Sequence, residues 1–215
     1  MHIRHLFFIS FLSPILFSCQ VDTIETEARN SWMQIEVPEA STVYSMYGSL
    51  QNELIIGGLG NIFKTTNKGV NWSIVQNDIT AYELREKQDS IFAIALYNST
   101  YKDFYTLDNG DSWHLHNKKS LQDLRTRSVT TSKGITYLVV SSETFPKQPD
   151  IVLRSNDGGS TWVDIFPYKH SIYSIYLDSD DNLYLGTNDW EWDETADTFD
   201  TNNKNNIGII YVLND

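Results

Sequence analysis

Three segments of the chain align without gaps on one pattern, and that pattern narrows the possible folds more than any other feature. The segments are Thr65-Thr66-Asn67-Lys68-Gly69-Val70-Asn71-Trp72, Thr106-Leu107-Asp108-Asn109-Gly110-Asp111-Ser112-Trp113 and Ser155-Asn156-Asp157-Gly158-Gly159-Ser160-Thr161-Trp162. They share Ser/Thr-x-Asp/Asn-x-Gly-x-x-Trp and recur at roughly the 40- to 50-residue period of units that bury their apolar faces only against one another. The Asp or Asn side chain is expected to accept backbone N–H bonds from two residues on and close a tight turn. The Ser or Thr hydroxyl adds a weaker bond of the same kind, Gly supplies a positive φ, and Trp begins the outgoing strand with its ring over the hairpin. Thr65, Asn67, Gly69, Trp72, Thr106, Asp108, Gly110, Trp113, Ser155, Asp157, Gly159 and Trp162 are therefore read as staples between strands, not as an active site.

Each box is preceded by three short β-prone runs. They are Val43 to Tyr47, Glu53 to Gly57 and Ile62 to Thr65; Ala81 to Arg85, Ser90 to Tyr97 and Phe104 to Thr106; Thr126 to Thr130, Ile135 to Val140 and Ile151 to Arg154. The turn pairs Gln51-Asn52, Gln88-Asp89 and Lys133-Gly134 separate runs within units. With the strand after each Trp, every unit holds four short strands, the content of a propeller blade. No segment after the N-terminal region shows the 3.6-residue apolar period of a helix. Gly57-Gly58 lies inside a strand-like run and reads as a bend or bulge, not as a phosphate loop.

A fourth unit has strands at Ile172 to Leu177, Leu183 to Gly186 and Ile207 to Val212, but no fourth strand follows. The missing strand is expected at the other end, where Trp32 to Val37 resembles a box's Trp and outgoing strand. The expected fold is all-β: a propeller of four-stranded antiparallel blades, four in number, with the N-terminal strand closing the last. The alternatives are a piece of a larger ring of roughly six to eight blades, or two chains that complete one ring.

The repeat resembles the Asp-box, or BNR, repeat of the sialidase-like and photosystem-assembly-factor-like propellers. That resemblance extends over nearly the whole of residues 31–215, at the level of repeats. Its relatives include hydrolases, sorting receptors and assembly factors, so it implies a fold and not an activity. A sialidase needs three arginines on the substrate carboxylate, a Tyr/Glu nucleophile pair and an acid. After the export segment the chain offers Arg29, Arg85, Arg125, Arg127 and Arg154, none in an Arg-Ile-Pro motif. Other glycosidases need two carboxylates across a cleft, and no pair stands out among 28 acidic residues. Without those residue sets the expected function is a binding or scaffold module with no catalytic residue assigned; a glycan-cleaving hydrolase is the alternative.

Charge and the N-terminus bear on location and partners. A net charge of −12 opposes nucleic acid. Residues 1–19 carry a positive start and an apolar stretch from Leu6 to Phe17, the layout of a secretory signal. The ending Leu16-Phe17-Ser18-Cys19 resembles a bacterial lipobox, although Phe17 is bulkier than the usual small residue. Cys19, the single cysteine, is the expected lipidation site; an incidental thiol is the alternative, and no intramolecular disulfide is possible. Residues 20–30 form a polar tether. These features predict an exported lipoprotein at the outer membrane or cell surface, attached to the membrane through its lipid alone. No later stretch is long enough to span a bilayer.

The most distinctive non-repeat feature is the insertion from Asn188 to Asn206. Trp190 and Trp192 stand there among Asp189, Glu191 and Asp193. Exposed indoles beside carboxylates suit stacking on a sugar or contact with a peptide, so this is the candidate ligand loop, on a blade-loop face that takes a protein or glycan. The alternatives are a solvated acidic loop anchored by its tryptophans, and a weak Ca²⁺ site; no other cofactor is expected. His114 and His116 share one strand face but lack a third metal ligand.

Overall fold

The alternating runs become strands in the computed structural model, which describes residues 31–119, 126–142, 147–202 and 205–214. The export segment, Cys19 and the tether lie outside those residues. The first unit folds as β2 (Val43–Gly48), β3 (Leu54–Gly58), β4 (Asn61–Thr65) and β5 (Ser73–Asn77) after an N-terminal β1 (Trp32–Val37). The second is β6 (Thr80–Lys87), β7 (Ser90–Tyr97), β8 (Thr100–Thr106) and β9 (His114–Lys119). The third is β10 (Ser128–Thr130), β11 (Thr136–Val140), β12 (Ile151–Ser155) and the short β13 (Val163–Asp164). Each makes one antiparallel sheet in chain order. The last unit contributes β14 (Ser174–Leu177), β15 (Leu183–Asn188) and β18 (Gly208–Leu213), with a separate hairpin of β16 (Glu191–Asp193) and β17 (Thr198–Asp200) inserted before β18. The described residues contain no helix, and the chain is an all-β propeller of four-stranded antiparallel sheets.

The last sheet runs β1-β18-β15-β14, so its fourth strand comes from the N-terminal side. The register runs from Trp32 opposite Leu213 to Val37 opposite Gly208. Strand β1 buries Trp32, Ile35 and Val37 and turns Met33, Gln34 and Glu36 outward. It also covers the edge that β18 would otherwise present for pairing with another chain.

Sheets pack face to face through three apolar cores. Trp32, Tyr137, Val152, Phe166 and Tyr211 lie between the third and last sheets. Ile35, Val43, Leu54, Phe63 and Ile210 lie between the last and first, and Ile55, Ile62, Ala93, Phe104 and Trp113 between the first and second. Among the described residues no comparable core joins the second sheet to the third. The outward face of the second sheet carries Phe92, Tyr105, His114 and His116 in contact with one another, so those histidines belong to an aromatic patch.

Two serines tie neighbouring sheets at the centre. Ser45 Oγ donates to the Ala81 carbonyl at 2.8 Å, and Ser174 Oγ donates to the Val43 carbonyl at 3.0 Å. Each stands opposite a glycine on the next strand, Gly57 and Gly186. The expected irregularity at Gly57-Gly58 falls on the partner strand, between Val43 and Ser45.

The repeat turns differ from expectation in which group organises them. Thr106 Oγ1 donates to Asp108 Oδ1 at 2.7 Å and accepts from the N–H groups of Asp108 and Gly110. The carboxylate accepts from Ser112, four residues on. Thr65 with Asn67, and Ser155 with Asp157, repeat this set. The hydroxyl is thus the hub. The cause is a pair of successive positive-φ residues, Lys68-Gly69, Asn109-Gly110 and Gly158-Gly159, which widens the turn. Trp113 and Trp162 donate from Nε1 to the carbonyls of Gly110 and Gly159, whereas Trp72 Nε1 is buried without a hydrogen-bond partner.

These bonds hold Asp157 down at about 2, chiefly through the Thr161 N–H and hydroxyl and the Ser155 hydroxyl, and hold Asp108 lower still. A carboxylate depressed in the folded state stabilises the fold above its unfolded value and loses that contribution as pH falls through the folded value. For Asp157 the window runs from 3.8 down to about 2. Melting temperatures measured across it are expected to fall, and to fall less in Asp157→Asn; an identical slope in the variant would contradict the assignment.

Candidate functional site

Antiparallel order puts the β2–β3 turn and the repeat turns at one end of the sheets. The other end holds the starts of β2, β6 and β14 and the inserted hairpin. There the strands β2, β6, β10 and β14 surround a shared cavity of about 380 Å³. Tyr44, Tyr82 and Tyr173 line it at equivalent places, each directly before an inner-strand Ser45, Glu83 or Ser174. Their rings form a row: Tyr82 to Tyr44 at 5.0 Å, Tyr44 to Tyr173 at 5.5 Å, and Tyr101 extending it 5.9 Å from Tyr82. Lys147 Nζ stands 5.8 Å from the Tyr173 ring centre. Burial, with Tyr44 and the Asp150 charge nearby, pushes the Tyr173 phenol up.

Among the described residues that line this cavity, Glu83 is the one carboxylate, and Arg85 Nη1 lies 3.4 Å from its Oε1. Asp150 sits behind the lining with a fully buried side chain. Its Oδ2 accepts from the Ile172 N–H at 2.6 Å and lies 3.6 Å from Arg127, which in turn donates to the Ile172 carbonyl at 2.7 Å. Asp150 Oδ2 thus fixes the entry of β14, while its buried Oδ1 has no hydrogen-bond partner and the residue lines another cavity. The mouth can stack on flat apolar faces and exchange hydrogen bonds through phenols and hydroxyls. It does not present two accessible carboxylates across a gap.

The residues of the candidate ligand loop fall into two groups. Asp189 is buried, and its Oδ2 accepts from the Asn206 N–H. Asp193 accepts from the N–H groups of Thr195 and Ala196 and from the Thr195 hydroxyl, bonds that lower its pKa. The Trp190 carbonyl bonds His170 Nδ1 at 2.8 Å. A carbonyl only accepts, so His170 carries a proton on Nδ1, and Nε2 lies 2.9 Å from the Tyr211 hydroxyl, accepting from it when the ring is neutral. These groups hold the hairpin on the body. Glu191 is exposed, and Trp192, edge-on to Phe199 at 5.2 Å, lines a second cavity. No group of three or more His, Cys, Asp or Glu is placed to hold a metal ion among the described residues. The tyrosine row is absent from the sequence reading, although Tyr44-Ser45, Tyr82-Glu83 and Tyr173-Ser174 would have exposed it once the inner strands were aligned.

Comparisons with known proteins give short or distant likenesses. A family described as two component regulator propeller matches residues 167–189. Vacuolar protein sorting/targeting protein 10 of Ajellomyces capsulatus is 34% identical over 82 residues, which is 37% of this chain and 5% of that protein. The chain thus spans a small part of that relative's length. Among solved structures, YCF48 from Cyanidioschyzon merolae aligns at 14% identity and a TM-score of 0.34, covering 79% of this chain and 58% of that one. Trypanosoma rangeli sialidase in complex with sialic acid aligns at 13% identity and a TM-score of 0.25, covering 75% and 28%.

Proposed function

We propose that the protein is an Asp-box propeller lipoprotein, held at the cell envelope through Cys19, that binds a glycan or polypeptide at its tyrosine-lined mouth without cleaving it. The observation that carries this reading is the row of tyrosine rings, Tyr82, Tyr44 and Tyr173, that lines a cavity in which Glu83, beside Arg85, is the one lining carboxylate among the described residues. Fixed phenol rings offer contact area and hydrogen bonds at little entropic cost. A two-carboxylate glycosidase would need a second accessible carboxylate, and a sialidase would need three arginines where the described lining of the mouth holds Arg85 alone.

The experiment is retention of labelled saccharides and peptides by the full chain in detergent, compared with a Tyr44→Ala/Tyr82→Ala variant. Two rings worth about 1 kcal/mol each predict a loss of affinity of about tenfold or more, with the β-sheet circular dichroism unchanged. Equal retention by the variant would sink the proposal.

A further inference from the structure

Another cavity, of about 460 Å³, shares no lining residue with the mouth and lies between the start of β12, the connection from β13 to β14 and the inserted hairpin. Its walls are preorganised. Tyr168 is stacked on Tyr211 at 4.5 Å. Trp192 is held edge-on to Phe199, and its backbone N–H donates to the Lys169 carbonyl at 3.0 Å. Phe166 closes the inner side against Trp32 at 5.2 Å.

The charge of this cavity is one-sided. Asp164 and Asp197 are both exposed and both line it. Asp164 Oδ1 accepts from the Phe166 N–H at 3.2 Å. Lys169 is the one cation among the described lining residues, and it is ion-paired with Glu194. A neutral sugar can only hydrogen-bond these carboxylates, whereas a cation also gains their charge attraction and that of the faces of Trp and Tyr rings. The net charge of −12 adds a long-range field of the same sign preference.

We infer that this cavity takes a cationic side chain of a polypeptide partner, arginine above all. A guanidinium stacks on the Trp192 indole and donates in its plane to Asp164 and Asp197. The site is separate from the tyrosine mouth, and the inference holds whether or not the mouth binds its own ligand.

The test titrates the full chain, by calorimetry, with acetyl-Gly-Arg-Gly-amide, with its neutral citrulline analogue, and with a neutral tetrasaccharide. The arginine peptide is expected to bind. The citrulline peptide should bind at least about tenfold more weakly, the size of one charge-assisted hydrogen bond. Asp164→Asn/Asp197→Asn preserves shape and the Phe166 cap; it should weaken the arginine peptide by about fivefold or more and remove its salt dependence. Tyr44→Ala/Tyr82→Ala should leave this affinity unchanged, which separates this site from the mouth. No arginine-peptide binding, equal affinity for citrulline, or tetrasaccharide binding that the Asn variant leaves intact would each overturn the inference.

Discussion

Trp32→Ala is expected to lower the stability of the fold by about 3–5 kcal/mol, the cost of emptying a packed aromatic site. Trp32 is 6% exposed and sits in the core between the third and last sheets. Its ring meets Phe166 edge-on, and its Nε1 donates to the Ile165 carbonyl at 3.0 Å. Alanine would leave a cavity, an unanswered carbonyl and a loosened β1 at once. At about 2–4 °C per kcal/mol for a domain of this size, the melting temperature should fall by roughly 10 °C. Trp32→Phe keeps the ring contact but loses the donor, so it should fall between the two. Thermal and urea unfolding check both values. A near-normal Trp32→Ala melt would mean that β1 does not hold the last sheet.

The second large effect comes from the two glycines opposite the central serines. A Cβ on Gly57 would lie 2.1 Å from the Ala81 carbonyl oxygen and 2.4 Å from Ser45 Oγ. On Gly186 it would lie 2.6 Å from the Val43 carbonyl oxygen and 2.2 Å from Ser174 Oγ. In both cases the obstacle includes the backbone of the neighbouring sheet, so a rotamer change cannot relieve it. The sheets must move apart, which breaks the serine tie and loosens the core beside it. Gly57→Ala and Gly186→Ala should each cost about 3 kcal/mol, the upper end for overpacking. Removing the hydroxyl as well, in Ser174→Ala/Gly186→Ala, should not restore stability, because the Val43 carbonyl remains. Restoration would show that the hydroxyl alone sets the limit.

Much of this architecture was legible from local chemistry. The repeat turns and the alternating runs place most strands within a residue or two, because their apolar and turn residues act locally. The completion of the last sheet by β1 was readable from Trp32, which mimics the Trp after a box. The details that failed depend on geometry beyond neighbouring residues. The hydroxyl became the hub of each turn because two left-handed residues in succession carry the chain past the expected partner. Gly57 looked like a bend until the approach of Ala81 from the next sheet gave its reason. In the insertion, Asp189 and Asp193 bond backbone, and Trp192 turns toward a cavity whose other walls come from distant residues such as Tyr168 and Asp164, a division that the run of acidic and aromatic residues does not reveal. The tyrosine row is likewise a product of three sheets meeting, which no single segment reveals.

The mouth is proposed to bind and not to cut. The most direct measurement recovers a saccharide retained by the wild-type chain and dropped by Tyr44→Ala/Tyr82→Ala, after prolonged incubation, and determines its mass. Binding by tyrosine rings beside one arginine-held carboxylate predicts the intact saccharide at its starting mass, in the wild type and in Glu83→Gln alike. A shortened saccharide that Glu83→Gln leaves whole would make Glu83 a catalytic residue and contradict the account.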